Sequence, residues 1–179
     1  MITRDEMMRA RQEAFELVRA SGFPVQESER EKVEVADFGL GRLDEEGAQI
    51  LTLVDSERIA VKLIVLFPYQ TLPEHWHPPV GSDPGKEETI RTFWGIVYVY
   101  VEGPKTIKFG RIPPSQEKVY LCRHEIPLGP GDQHRFEPGS KHWFQAGAGG
   151  AIILSFSSVA RDGLDIFTDP LIKRVTQVT

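Results

Sequence analysis

The sequence predicts an all-β fold, a small barrel or sandwich, preceded by a single N-terminal helix. Three observations predict it. Short apolar segments alternate with turn-forming residues along most of the chain. Glycine and proline are plentiful, 16 and 13 in 179 residues, which favours short strands over long helices. Apolar residues at helical spacing are confined to the N-terminal segment.

The helix is predicted over about 3–21. Thr3 followed by Glu6 is a capping-box pattern, and Met7, Ala10, Ala14, Phe15, Leu17 and Val18 recur on one stripe. Arg9, Arg11, Glu13, Glu16 and Arg19 cover the opposite face, and Gly22 with Pro24 supplies the stop. After the charged stretch QESEREK the pattern changes to strands. IAVKLIVLF (59–67) is an almost continuous apolar run, as in a strand buried on both faces. TFWGIVYVYV (92–101) alternates, with Phe93, Val97, Val99 and Val101 on one side and Trp94, Ile96, Tyr98 and Tyr100 on the other. Shorter strands are expected at 106–112, 118–126, 134–137, 142–146 and 151–157, divided by turns such as EGP, IPP, LGPGD and GAGG. There is no internal repeat, low-complexity tract or linker, so the expectation is one domain over 1–179. Its barrel spans about 33–160, with a C-terminal segment over 161–179.

Composition narrows the function classes. Forty per cent hydrophobic and 26% charged residues are ordinary for a globular protein. A net charge of −5 offers no basic footprint for nucleic acid or an anionic membrane. The one cysteine, Cys122, excludes an intrachain disulfide and suits a reducing compartment. The charged N-terminus lacks the apolar core of a signal peptide, and no apolar run approaches the ~20 residues of a membrane span. A cytoplasmic protein is expected.

Chemistry is concentrated in PEHWHPPVGSDPGKEET (73–89). His75 and His77 alternate, so in an extended segment both imidazoles point to one face and can reach one ion. A carboxylate follows at Glu87 or Glu88, and strand parity alone does not choose between them. A fourth donor is offered by PGDQHRFEPGSKHWFQAG (130–147), where His142 opens a strand just after a turn. Taken singly, these features are ordinary. A lone histidine such as His124 or His134 is usually surface or satisfied core, and Lys86-Glu87-Glu88 by itself is a solvated charge run. Together, H-x-H, a downstream glutamate and a distant histidine after Pro-Gly form a metal-site pattern.

That combined pattern resembles the cupin superfamily, which implies a cupin-type, jelly-roll-like β-barrel. The ligands it implies are His75, His77, a glutamate of the first motif and His142. Two details depart from the common form: ten residues separate His77 from Glu88, and Pro138 and Gly139 are adjacent. Within the superfamily, PEHWHPPVGSDPGKEET, VYVYVEG, PGDQ, PG-x-KHWFQAG, the segment ARDG (160–163) and DIFTDP (165–170) resemble the D-lyxose isomerase family over about 68–170. The long gap is itself a feature of that subgroup. Its Lys-x-Glu pattern, mapped here, implies Lys86 as a catalytic residue and Glu88 as the metal ligand.

The resemblance implies an aldose–ketose isomerase acting on D-lyxose/D-xylulose, and on D-mannose/D-fructose, in their linear forms and through an enediol. Three histidines and a carboxylate leave two positions of an octahedron for sugar oxygens. The resemblance implies Mn²⁺, while donors of this type also accept other divalent transition metals. Lys86 would stabilise the enediolate or relay a proton. Family members often carry a glutamate on the strand after the fourth ligand, where this sequence has Ser155, and the resemblance leaves Asp165, in DIFTDP, as the best remaining candidate base. Trp76, Trp143 and Phe144 are candidate pocket walls. A homodimer is implied by the family. The alternatives from these residues are an iron-dependent cupin oxygenase and a non-catalytic sugar-binding cupin.

Overall fold

The computed structural model describes all 179 residues. One helix, α1 (Arg4–Ala20), precedes nine strands: β1 (Glu34–Ala36), β2 (Ala48–Asp55), β3 (Ile59–Leu66), β4 (Thr71–Trp76), β5 (Glu88–Val101), β6 (His124–Leu128), β7 (Gln133–Phe136), β8 (His142–Ser158) and β9 (Ile166–Phe167). They form a curled antiparallel sheet. No helix is long and apolar enough to cross a membrane.

The capping box forms as expected. Thr3 Oγ1 accepts from the Glu6 N–H, and the Glu6 carboxylate accepts from the Thr3 N–H at 2.7 Å. The helix lies on the outer face of the sheet, where Ala14 and Val18 pack with Leu51, Leu63, Val65 and Ile152. The inner face of the same strands, with Ile50, Ile64 and Leu66, belongs to the barrel core. This is why β3 reads as a continuous apolar run: helix and barrel cover its two sides.

β8 organises the barrel. β5 runs along one edge of it; β3 pairs with its C-terminal half and β4 with its N-terminal half. The GAGG segment, expected as a turn between two strands, instead lies within this one 17-residue strand and bends it. Gly95 (φ 77°) and Gly150 (φ 83°) meet at that bend. A Cβ on Gly95 would collide with the Gly150 carbonyl oxygen, so the close backbone approach requires glycine. The register shift between Thr92 and Trp94 makes β5 bulge, whereas the one between Gly95 and Val97 places the extra residues on β8, between Ala146 and Ala151. The bulge reverses the inward parity: Glu88, Ile90 and Thr92 are buried before it, and Val97 and Val99 after it.

Two expected strands differ. Residues 106–112 form no strand, and of 118–126 only the portion from His124 is in one. Their backbone is instead held by carboxylates. Glu125 accepts from the N–H groups of Lys108, Phe109 and Gly110, and Glu74 accepts from those of Leu121 and Cys122. This segment covers a separate cluster of Tyr100, Tyr120, Cys122 and Trp143. The short strands β1 and β9, and the 8-residue β2, carried too little pattern for the sequence reading to single out.

Candidate metal centre

Four side chains from three strand ends and one loop converge at the end of the barrel: His75 on β4, His77 just after it, Glu88 at the start of β5 and His142 at the start of β8. Their donor atoms all lie within 4.8 Å of one another, and all four residues are buried. The register does this. His75 pairs directly with His142, and Glu88 lies between Phe136 on β7 and Ser157 on β8. The ten-residue excursion between His77 and Glu88 leaves the barrel, turns at the Val80–Asp83 bridge and returns beneath the His77 carbonyl at Gly85 (φ 110°). A side chain at Gly85 would strike that carbonyl, so the glycine is what lets Lys86 re-enter the barrel mouth.

The imidazoles are oriented from behind. His75 Nδ1 lies 2.8 Å from the Pro73 carbonyl and His142 Nδ1 lies 2.9 Å from that of Ser140, so each donates backward and presents Nε2 forward. His77 Nδ1 lies 2.7 Å from Asp165 Oδ1, and its Nε2 lies 3.0 Å from Glu88 Oε2. Ser155 donates its hydroxyl to Glu88 Oε1. His142 Nε2 is fully buried with no hydrogen-bond partner in the chain. A buried acceptor left unpaired among two further imidazoles and a carboxylate fits a divalent transition metal, and the donor set of nitrogen and oxygen without sulfur agrees.

Protonation suits the same use at two of the three imidazoles. Burial pushes His75 down to about 4, with the neighbouring His77 acting the same way. Burial also pushes His142 well below the ordinary histidine range, reinforced by His75. Both rings are neutral and able to offer Nε2. For His77, burial opposes the charge, but the hydrogen bonds to Asp165 and Glu88 outweigh it and raise its pKa. Burial opposes ionisation of Glu88 as well, yet Lys86 and His77 hold it well below the usual carboxylate range. Lys86 keeps its proton: burial works against it, and Glu88, Asp165 and Asp162 raise its pKa.

A cavity opens from this centre. His75, Glu88, Lys86 and Asp165 face it, together with Phe144 and Phe167. Lys86 Nζ is 3.6 Å from Glu88 Oε2. Glu87 is exposed on the other side and pairs with Arg135 at 2.8 Å, so the structure separates the two glutamates that parity left open. His124 lies outside, against Thr106, and His134 packs edge-on to Phe136. Of the three aromatic candidates for pocket walls, Phe144 lines the cavity. Trp143 is buried in the cluster with Tyr100, and Trp76 lies under the Lys141 ammonium. Sequence reasoning missed Lys62, Asp162 and Arg174, which also line the cavity. Lys62 sat inside an apolar run and was the one signal available: a charge in a strand buried on both faces.

No family model matches the chain. The D-lyxose ketol-isomerase of Cohnella laeviribosi is 51% identical over 171 residues, 95% of this chain and 94% of that protein. The D-lyxose/D-mannose isomerase of Thermosediminibacter oceani is 46% identical over 99% of both proteins. Among solved structures, the L-ribose isomerase of Cellulomonas parahominis without ligand superposes with a TM-score of 0.82 at 16% identity, covering 99% of this chain and 98% of that one. An Acinetobacter sp. DL28 L-ribose isomerase in complex with L-ribose gives a TM-score of 0.77 at 14% identity, with coverage of 99% and 98%. At that identity the structural likeness speaks for the fold.

Proposed function

The chain belongs to the D-lyxose ketol-isomerase family of sugar isomerases, and from that premise we propose that it interconverts D-lyxose with D-xylulose and D-mannose with D-fructose. The observation that carries the reading is the convergence of His75, His77, Glu88 and His142 at the end of a cavity that Lys86 and Asp165 also face. In this reading those four residues hold the metal, with Mn²⁺ as the proposed ion, and the whole chain acts as one domain. A metal held there would supply Lewis acidity, which would lower the cost of removing the proton on C2.

The rest falls to the protein's own side chains. Asp165 Oδ1 is committed to His77, while Oδ2 has no partner within the chain and is the proposed base for the C2 proton, which it returns to C1. The Lys86 ammonium stabilises negative charge as it develops on the sugar oxygens and relays the O2 proton to O1, completing the exchange. Ser155 cannot serve as a base beside an ionised Glu88; its hydroxyl holds that carboxylate in place. Phe144 and Phe167 give the cavity an apolar wall that excludes water from the enediol. We further propose a homodimer in the cytoplasm; the buried, unpaired Cys122 thiol is compatible with a reducing compartment.

The test is to strip the purified protein with a chelator, restore Mn²⁺ and follow ketose formation from D-lyxose and D-mannose without oxygen. Mn²⁺-dependent appearance of D-xylulose and D-fructose is expected. Absence of any ketose from a panel of pentoses and hexoses would remove the reading. Sedimentation velocity checks the assembly.

A further inference from the structure

The cavity holds a second charged cluster, which the proposed chemistry leaves unused apart from Lys86. Three cations face one carboxylate. Lys62 Nζ and Arg174 Nη2 both contact Asp162 Oδ2, the latter at 3.3 Å, and Lys86 Nζ lies 3.8 Å from Oδ1. These cationic side chains are only 12, 16 and 10% exposed respectively, so water does little to screen them. Glu34 holds Arg174 from the outer side at 2.5 Å. A guanidinium and two ammonium groups around one small space match a phosphate group, which accepts from all three and carries about two negative charges. A neutral polyol brings no charge of its own to this space. In this protein the space is already taken by the carboxylate of Asp162.

We infer that Asp162 restricts the site to unphosphorylated sugars, because its carboxylate occupies a cradle of Lys62 and Arg174, bordered by Lys86, that would otherwise hold the phosphate of a sugar phosphate. The inference rests on the sugar-isomerase reading above. It differs from a purely structural role for Asp162, which would predict lost stability and no new ligand. The specificity device is repulsive: the correct substrate gains hydrogen bonds to the carboxylate, while a phosphorylated one meets a fixed like charge with no room beside it.

The experiment compares the Mn²⁺-loaded wild type with Asp162→Ala, which vacates the space, and Asp162→Asn, which removes only the charge. Inorganic phosphate and an aldohexose 6-phosphate are titrated by calorimetry and by thermal shift. Any phosphate held by the metal is common to all three proteins and cancels in the comparison. The alanine variant is expected to bind both probes at least ~10-fold more tightly than the wild type, and the asparagine variant less so. Adding Lys62→Ala to Asp162→Ala should abolish most of the gain, and raising the salt concentration should shrink it. Equal phosphate affinity in wild type and variants would overturn the inference, as would a gain that survives Lys62→Ala. Unfolding of both single variants without rescue by phosphate would assign Asp162 to structure alone and overturn it too. Ketose formation by the wild type is measured in parallel, so failure of the isomerase reading is seen separately.

Discussion

Asp165→Asn tests the metal centre and the proposed base together. The substitution keeps the size of the side chain and removes its charge. Asp165 Oδ1 lies 2.7 Å from His77 Nδ1, and this contact fixes the tautomer that turns Nε2 toward Glu88 and the other imidazoles. Loss of an outer carboxylate behind a ligating histidine costs about 10–100-fold in metal affinity. That corresponds to about 1.4–2.7 kcal/mol. If Oδ2 is also the base, turnover should fall by a further ~10²–10⁴-fold even when the metal site is saturated. Activity is measured against free Mn²⁺ concentration, giving an apparent metal affinity and a plateau rate from one data set. Full recovery of the plateau at high Mn²⁺ would refute the base assignment and leave Asp165 as a positioning residue for His77. Unchanged metal affinity as well as unchanged rate would refute both roles.

Further outcomes are expected from the same geometry. Lys86→Gln should lower the rate by about 10²–10³-fold, as loss of a charge aimed at a developing oxyanion does, with metal affinity moving less than about tenfold. An equal collapse of metal binding would show that Lys86 only holds Glu88. In the metal-free protein, His77 has a raised folded pKa, so its contribution to stability is complete below the unfolded value of about 6.5 and is lost as pH rises through the folded one. His75, depressed to about 4, works in the opposite window: the unfolded state takes its proton first, and stability declines as pH falls from about 6.5 toward 4. Urea midpoints across pH should therefore fall on both flanks, and His77→Gln should remove the alkaline decline; a decline that persists in that variant would count against the assignment. Gly95→Ala places a Cβ at φ 77° against the Gly150 carbonyl and should cost about 2–4 kcal/mol in urea unfolding. An unchanged midpoint would mean the bend at β5 and β8 does not need glycine.

Much of the barrel was legible locally. The capping box, the apolar stripe of α1 and the apolar run of β3 involve neighbours a few residues apart, where period and sterics act directly. The alternation of His75 and His77 is equally local, and it is enough to aim two imidazoles at one place. Choosing Glu88 over Glu87 was another matter. Strict alternation back from Val97 would turn Glu87 inward, but the bulge between Thr92 and Val97 reverses the phase, and a bulge exists only relative to the strand it pairs with. The sequence-level choice of Glu88 came from the family resemblance.

Sequence by itself determined which residue types can bind a metal here, where the helix begins and ends, and that strands follow. Tertiary structure alone decided the rest: that GAGG bends one long strand rather than ending it, that Gly85 returns Lys86 to the barrel mouth, and that Asp165 stands behind His77. It also gathered Lys62, Asp162 and Arg174, far apart in the sequence and each ordinary where it stands, around one space. The physical reason is range. Propensity and periodicity report on what a residue's near neighbours allow, whereas a charge cluster in a barrel is set by strand register and by where the backbone returns, which couple positions with no local trace of one another.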